Sequence, residues 1–251
     1  FFTTNVKKVK MATIGSNKSY LDKYKLQIYL IYSNDWVATG AGYDNVIGAL
    51  WVTPSTCHPV GSVIAHEIGH TFQYQVYCDQ ILTGQTKEFE FKSGYRYGYD
   101  GSNGGNGFWE QTAQWQSFLD YPEQIFTCWE FDVEWLPNYH RHFENEYMRY
   151  GSYWLHYYWA SKYGLEAIGK IWRNSKSPED GISTYTRVFN DNNYEKTREE
   201  LFDYAMKMAT YDIDGIREYS KQFQGKYTTK FYIDSQGYYQ VAYNRCPGAT
   251  G

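Results

Sequence analysis

One stretch of the chain decides how the rest is interpreted: Val63-Ile64-Ala65-His66-Glu67-Ile68-Gly69-His70-Thr71-Phe72. Apolar residues recur at helical spacing from Ser62 to about Tyr77, which predicts a buried helix. Residues four apart on a helix lie on one face, about one turn from each other, so the imidazoles of His66 and His70 project together. The stretch therefore predicts two neighbouring histidine side chains on a rigid element.

Two histidines at this spacing are what a tetrahedral zinc site takes from a single helix. Glu67 lies one step round the helix from His66, where its carboxylate can reach a water bound to that metal. This is the His-Glu-x-x-His arrangement of zinc hydrolases. The alternative is a pair of core histidines bonded to backbone carbonyls, an unusual way to fill an apolar helix. We therefore expect Zn²⁺ as the cofactor, with His66 and His70 as metal ligands and Glu67 as a catalytic residue.

Composition narrows the possible partners. The chain has 251 residues, 42% hydrophobic and 21% charged, which is enough for one large domain with a buried core. It has no apolar run long enough to span a membrane. The net charge is -4 and the Lys and Arg residues are scattered, so no nucleic-acid partner is expected. Aromatic residues make up 20% of the chain, and their flat faces and polar tips suit sugars, peptides or a Tyr-rich core.

The remaining segments predict an α+β fold. Aromatic and β-branched runs at 25–32 and 48–53 indicate strands, and helical periodicity indicates a second helix at 108–119. The fold class is a small N-terminal sheet with the histidine-bearing helix, followed by a mainly helical lobe. Further along the chain, the pattern predicts a hairpin and Gly-rich loop at 87–107, mostly helix up to 223, and two short strands within 226–243.

The segment 63–72 resembles the active-site helix of the zincin metallopeptidases. In that superfamily the metzincins carry Gly three residues and His six residues after the second His, whereas this chain has Gln73 and Val76 there. The resemblance is therefore to the gluzincins, which take a third metal ligand, a Glu, from a second helix downstream. It implies a single zincin-like catalytic domain over 1–251, with possible lobes at 1–80, 81–225 and 226–251.

Several carboxylates could supply the third ligand. Only Glu110 lies in a well-patterned helix, where it shares a stripe with Ala113, Gln114 and Ser117. Small residues in that stripe would let this helix approach the His66–His70 helix closely. The resemblance therefore implies Glu110 as the third ligand, and a solvated helix Glu is the alternative. The full set of candidates is Glu88, Glu90, Asp100, Glu110 and Glu123.

The chain departs from thermolysin-like enzymes in its second helix. Those enzymes commonly carry an Asp four residues after the Glu to orient a zinc-bound His, and this chain has Gln114, which can accept the same hydrogen bond without a charge. The gap from His70 to Glu110 is also longer. The sequence is more similar to bacterial enhancin-like, mucin-directed secreted metallopeptidases with a His-Glu-x-Gly-His motif. That resemblance covers about residues 45–165.

Oxyanion-binding residues are harder to place. Gluzincins often use a Tyr or His after the third ligand. The segment 147–157 is loosely similar to their Tyr-x-x-Gly helix, so Tyr147 and Tyr150 are the catalytic candidates, with core packing as the alternative. The other candidates are His140, His142 and His156, of which His156 is expected to be a packed residue.

These features predict a zinc-dependent endopeptidase that hydrolyses protein or glycoprotein substrates, with Glu67 as the proton acceptor. The strand at 48–53 is expected to pair with an extended substrate. The alternative is a zincin-like module that binds glycan or protein without cleaving it. The chain opens on Phe1 without an initiator Met or signal segment, which suggests a trimmed precursor and a secreted, periplasmic or cell-surface location. The oligomeric state is left open.

The cysteines Cys57, Cys78, Cys128 and Cys246 form no Cys-x-x-Cys pair. The predicted helix between Cys57 and Cys78 would separate its ends by about 24 Å. A disulfide allows about 7 Å between Cα atoms. We therefore expect that these two cysteines are not bonded to each other.

Overall fold

A three-stranded sheet lies at the N-terminal end of the fold. The computed structural model describes residues 1–87, 107–143, 145–176, 179–221, 231–237 and 239–241. The strands are β1 (Gln27–Leu30), β2 (Ala38–Tyr43) and β3 (Ile47–Val52), in the spatial order β1-β3-β2. β3 is parallel to β1 and antiparallel to β2, so it is the central strand, and it is the most buried of the three.

The sheet confirms two of the predicted strands and corrects the expectation that one of them pairs with substrate. β1 and β3 lie within the predicted segments, give or take one residue. β2 was not predicted, because its sequence Ala-Thr-Gly-Ala-Gly-Tyr is poor in residues that favour strands. The expectation that 48–53 pairs with substrate is wrong, since both edges of β3 are occupied by its neighbours. Among the described strands it is β2 that has an edge free on the side of the histidine-bearing helix.

The rest of the described chain is mainly helical, which confirms the α+β class. The helices are α1 (Ser62–Leu82), α2 (Gly107–Phe118), α3 (Leu136–Asn138), α4 (Trp154–Tyr163), α5 (Glu166–Arg173), α6 (Gly181–Asn190), α7 (Tyr194–Met208) and α8 (Arg217–Ser220). Short helical turns lie at Thr4–Lys8, Tyr20–Asp22, Pro54–Cys57, Pro122–Gln124, Phe131–Trp135 and Glu146–Met148. Two short antiparallel strands, β4 (Phe231–Ile233) and β5 (Tyr239–Val241), follow as predicted, whereas the predicted hairpin at 87–107 lies almost wholly outside the described residues.

Helix α1 lies against the sheet with almost no space between the two backbones. A Cβ atom added to Gly40 would lie 1.8 Å from the carbonyl oxygen of Glu67, and one added to Gly48 would lie 2.4 Å from that of Thr71. Real Cβ atoms do not approach backbone so closely, so only glycine fits at these positions. Gly40, which weakens β2 as a strand, thus lets β2 contact the helix that carries the histidines, and Gly48 does the same for β3.

Helices α1 and α2 also make close contact. A Cβ atom on Gly69 would lie 3.1 Å from the Cα of Ala113, and Ala113 is fully buried. Every residue of α2 is buried, including its one carboxylate and its glutamines. The expected close approach through small residues is therefore confirmed, and it carries polar side chains of α2 into the interior.

Many of the aromatic residues form the core between the helices. Trp115, Trp154, Trp159 and Trp172 are at most 1% exposed. Their rings pack at ordinary aromatic distances, for example 4.7 Å between the centroids of Trp159 and Tyr185. Much of the aromatic content of the sequence therefore serves packing.

The thiols of Cys57, Cys78 and Cys128 are free, which confirms that Cys57 and Cys78 are not bonded to each other. Cys246 lies outside the described residues. Among the helices of the described residues, none combines the length and the hydropathy that a membrane span requires.

The contact at Gly40 generates a stability prediction. Gly40→Ala is expected to lower the free energy of unfolding by about 2 kcal/mol or more, because the methyl group displaces the Glu67 backbone. Gly61→Ala is the control, since a Cβ there meets nothing closer than 3.9 Å. Thermal and denaturant unfolding of both variants would measure the difference. Equal stability of the two variants would contradict the close contact between β2 and α1.

Candidate metal centre

Three side chains from α1 and α2 meet at one point. The Nε2 atoms of His66 and His70 each lie 3.0 Å from the same carboxylate oxygen, Oε2 of Glu110. Their potential ligand atoms all fall within 4.8 Å of one another. The three residues are only 7%, 6% and 4% exposed, respectively. The structure therefore brings together the three residues predicted as metal ligands.

Two glutamines fix which nitrogen of each histidine faces the centre. The amide nitrogen of Gln73 donates to the carbonyl of Trp109 at 2.9 Å, which leaves its Oε1 to accept from Nδ1 of His70 at 2.8 Å. Oε1 of Gln114 lies 2.8 Å from Nδ1 of His66 in the same way. Each Nδ1 thus carries a proton when the ring is neutral, and each Nε2 lone pair points at Glu110.

The buried carboxylate and the two imidazoles of this cluster favour a positive charge between them. Burial alone would lower the pKa of His70, but the hydrogen bond to Glu110 and the charges of Glu110 and Glu67 outweigh burial and raise it. Burial alone would raise the pKa of Glu110, but hydrogen bonds to His66 and His70, and their charges, hold it well below its usual range. Two nitrogen lone pairs and a carboxylate cannot converge in a buried space without a cation or protons among them.

The donor set fits a divalent metal ion. Two imidazole nitrogens and one carboxylate oxygen are a common three-ligand set for catalytic zinc, and they leave a further position open. Both histidines are oriented by a hydrogen bond at the other ring nitrogen, as is usual for metal-bound imidazoles. His66, His70 and Glu110 could therefore hold a metal ion.

Behind the ligands, a chain of amide groups connects α1 to the N-terminal turn. The amide of Gln73 lies 3.4 Å from Oε1 of Gln116, and the amide of Gln116 donates to Oδ1 of Asn5. Asn5 in turn donates to the carbonyl of Phe1 at 3.1 Å. Sequence analysis anticipated the role of Gln114 but missed that of Gln73. The available signal was a polar residue three positions after His70 in a helix otherwise expected to be apolar.

Glu67 lies beside the metal ligands without joining them. Its Oε2 accepts a hydrogen bond from the backbone amide of Gly40 at 2.7 Å, which ties the carboxylate to the free edge of β2. Glu67 and His66 line a cavity of about 500 Å³. The carboxylate predicted as the proton acceptor therefore faces open space next to the centre.

Of the two predicted tyrosines, only Tyr150 reaches this cavity. Its ring centroid lies 5.8 Å from that of His66, and Glu134 holds the backbone amides of Tyr150 and Gly151 at 2.9 Å. Tyr147 is 69% exposed and its ring lies under the guanidinium of Arg141. Tyr150 is thus the tyrosine that the structure places beside the ligands.

The other candidates lie elsewhere. His156 is fully buried, bonded through Nε2 to Thr112 at 2.8 Å, and burial lowers its pKa to about 3, so it is the packed residue that was expected. His140 and His142 are exposed and do not line the cavity. Glu123 is also exposed, and the remaining carboxylate candidates, Glu88, Glu90 and Asp100, lie outside the described residues.

Comparison with known proteins places the chain in a family. Residues 1–251 match the model of a family described as "Family of unknown function (DUF6055)". The chain therefore belongs to that family. No curated protein and no solved structure matches the chain significantly.

The geometry predicts about one divalent metal ion per chain, held by three side chains. His70→Ala and Glu110→Ala are each expected to lose it, since two remaining ligands bind far more weakly. Glu123→Ala, which removes an exposed carboxylate of the same chain, is the control and should keep it. Elemental analysis after dialysis would measure occupancy. Full occupancy in Glu110→Ala would rule out Glu110 as a ligand.

Gln73 offers a test of ligand orientation. Gln73→Leu is expected to weaken metal affinity by about 10- to 100-fold, because His70 loses the acceptor for its Nδ1 proton. Gln73→Glu keeps that acceptor while losing the bond to Trp109, so it separates orientation of His70 from general destabilisation. Competition with a chelator would measure both affinities. Equal affinities in the two variants would show that Gln73 does not act through His70.

Proposed function

We propose that this protein is a zinc-dependent endopeptidase of the gluzincin type. The observation that carries the proposal is the meeting of His66, His70 and Glu110 on two packed helices, with Glu67 beside them at a cavity. His66, His70 and Glu110 would hold the zinc ion. The Glu67 carboxylate lies next to this ligand set, as hydrolysis with a carboxylate base requires.

When bound, zinc would supply Lewis acidity to the scissile carbonyl and to the attacking water. Glu67 would accept a proton from that water at its carboxylate and later donate it to the leaving amine. The hydrogen bond from Gly40 to one oxygen of Glu67 leaves the other oxygen for this transfer. Tyr150, at the same cavity, would donate a hydrogen bond to the oxygen that becomes negative.

Protein or glycoprotein is the substrate class that we propose. The cavity is bounded by α1 and by the start of β2, whose amide of Gly40 faces away from β3. An extended peptide along this edge would pass beside Glu67. A zinc peptidase of this kind is similar to the enhancin-like secreted enzymes, and a secreted, periplasmic or cell-surface location belongs to the same proposal.

A non-catalytic glycan- or protein-binding module is the rival function. Such a module could keep the zinc ligands for stability alone. It would use the Glu67 carboxylate only for its hydrogen bond to β2, whereas a peptidase would also use it for proton transfer at the cavity. The two functions make different predictions for Glu67.

Glu67→Gln is expected to keep its fold and its metal while hydrolysis falls by about 10²- to 10⁴-fold, because an amide cannot accept the proton. Glu110→Ala should instead lose metal and activity together. Hydrolysis of unfolded and glycosylated proteins, measured with metal content, would separate the two roles. Loss of metal in Glu67→Gln and its retention in Glu110→Ala would reverse the assignment. Zinc binding with no hydrolysis of any substrate would favour the binding module.

A further inference from the structure

The cavity beside Glu67 is lined by two tryptophans that differ from those of the core. Trp36 is 62% exposed and Trp129 is 57% exposed, although both contribute to the cavity. They come from different parts of the chain, Trp36 from the segment before β2 and Trp129 from the segment between α2 and α3. Exposed aromatic surface at a concave site is a common sign of ligand binding.

A carboxylate lies in the same cavity. Glu130 is half-buried and interacts with the neighbouring Cys128 thiol, which also lines the cavity, but it forms no ion pair with any residue that the structure describes. Arg149, whose guanidinium lies over the Tyr150 ring, is paired with Glu146 at 2.7 Å. The described residues that line the cavity include no Lys or Arg. The cavity is therefore both aromatic and negatively charged at its wall.

The wall that carries Glu130 is held in place by its neighbours. A Cβ atom on Gly151 would lie 3.1 Å from the carbonyl oxygen of Glu130 and 3.0 Å from Cβ of Glu134. The carboxylate of Glu134 accepts from the amides of Tyr150 and Gly151 at 2.9 Å. The backbone segments that carry Glu130 and Tyr150 are therefore packed and hydrogen-bonded together. This contact fixes the backbone of Glu130 relative to the metal ligands.

The negative charge on this wall has no positive partner within the cavity. Glu110 and Glu67 together would balance a divalent cation. The charge of Arg149 acts on Glu110 and Glu134, but Arg149 is paired with Glu146, so the negative charges of Glu130 and Glu134 are left in excess. A half-buried carboxylate beside aromatic faces is complementary to a long side chain with a cationic end, because the stem packs on the rings and the charge meets the carboxylate. Neither Asp nor Glu of a substrate would be accepted there.

We propose that this cavity is a specificity subsite for a lysine or arginine side chain of the substrate, with Glu130 as the specificity-determining residue. The aliphatic stem would lie against Trp36 and Trp129, and the cationic group would pair with Glu130. That the ligand is a substrate rests on the proposed peptidase function. The binding itself is a property of the cavity.

A neutral sugar is the other ligand that exposed tryptophans could stack on. It would make hydrogen bonds with Glu130 but would not balance its charge. Two probes distinguish the ligands. One is a capped pentapeptide with a central arginine flanked by alanines, compared with the same peptide carrying the neutral isostere citrulline. The other is a neutral N-acetylhexosamine oligosaccharide.

Binding is measured with the zinc-loaded Glu67→Gln protein, so that the probe is not cleaved. Tryptophan fluorescence and calorimetry give the equilibrium affinities. The arginine peptide is expected to bind about 5- to 10-fold more tightly than the citrulline peptide, the size expected of a partly exposed ion pair with a cation–π contact. Adding Glu130→Gln should abolish that difference, and Glu130→Lys should reverse it, so that the citrulline peptide binds more tightly than the arginine peptide. Glu123→Gln is the matched control and should leave it unchanged. Thermal unfolding would verify that each variant is folded.

The outcomes separate this inference from the proposed function. Glu130-dependent preference for arginine, with no hydrolysis by the zinc-loaded wild type, would support the subsite and overturn the peptidase. Hydrolysis with no preference for basic residues would support the peptidase and overturn the subsite. Failure of the arginine peptide to bind at millimolar concentration, or tighter binding of the oligosaccharide, would also overturn it.

Discussion

The close contact between α1 and α2 is the constraint on which the site depends. Gly69 lies against Ala113, so the two helices approach within reach of short side chains. At that separation one carboxylate oxygen of Glu110 reaches the Nε2 atoms of both His66 and His70. Bulkier residues at this contact would move Glu110 away from the histidines, and the three potential ligand atoms would no longer converge.

The same contact buries polar side chains of α2, which is unfavourable. Hydrogen bonds to neighbouring side chains offset this penalty. Helix α2 is buried on all sides but carries Glu110, Gln114 and Gln116. Gln114 bonds to His66, and Gln116 bonds to Asn5 in the N-terminal turn. Because unpaired polar groups in the interior are destabilising, this network both stabilises the helix pair and orients the imidazoles. The stability of the helix pair and the orientation of the potential metal ligands therefore depend on the same hydrogen bonds.

Some aromatic residues pack the core and others line the cavity, and composition alone could not tell the two groups apart. Trp115, Trp154 and Trp159 are buried and pack the helical core, whereas Trp36 and Trp129 are exposed at the cavity. Composition gives only their number, and whether a given ring is buried depends on what packs against it in the fold. Tertiary packing decides the environment of each ring: Phe126 and Phe131, for example, cover Trp154 at ring distances of 5.3 and 5.9 Å.

The sequence by itself determined the two helices and the positions of their potential metal ligands, because helical spacing acts locally. Residues 63–72 place His66, Glu67 and His70 on one helix, and the small residues beside Glu110 predict the close approach of its helix. Tertiary structure decided the rest. β2 is rich in glycine and has little strand propensity, but it pairs with β3 along its whole length, and its glycines leave room for α1 to pack against it. The choice of Tyr150 over Tyr147, and the role of Gln73, likewise depend on contacts between residues distant in sequence, which local patterns do not encode.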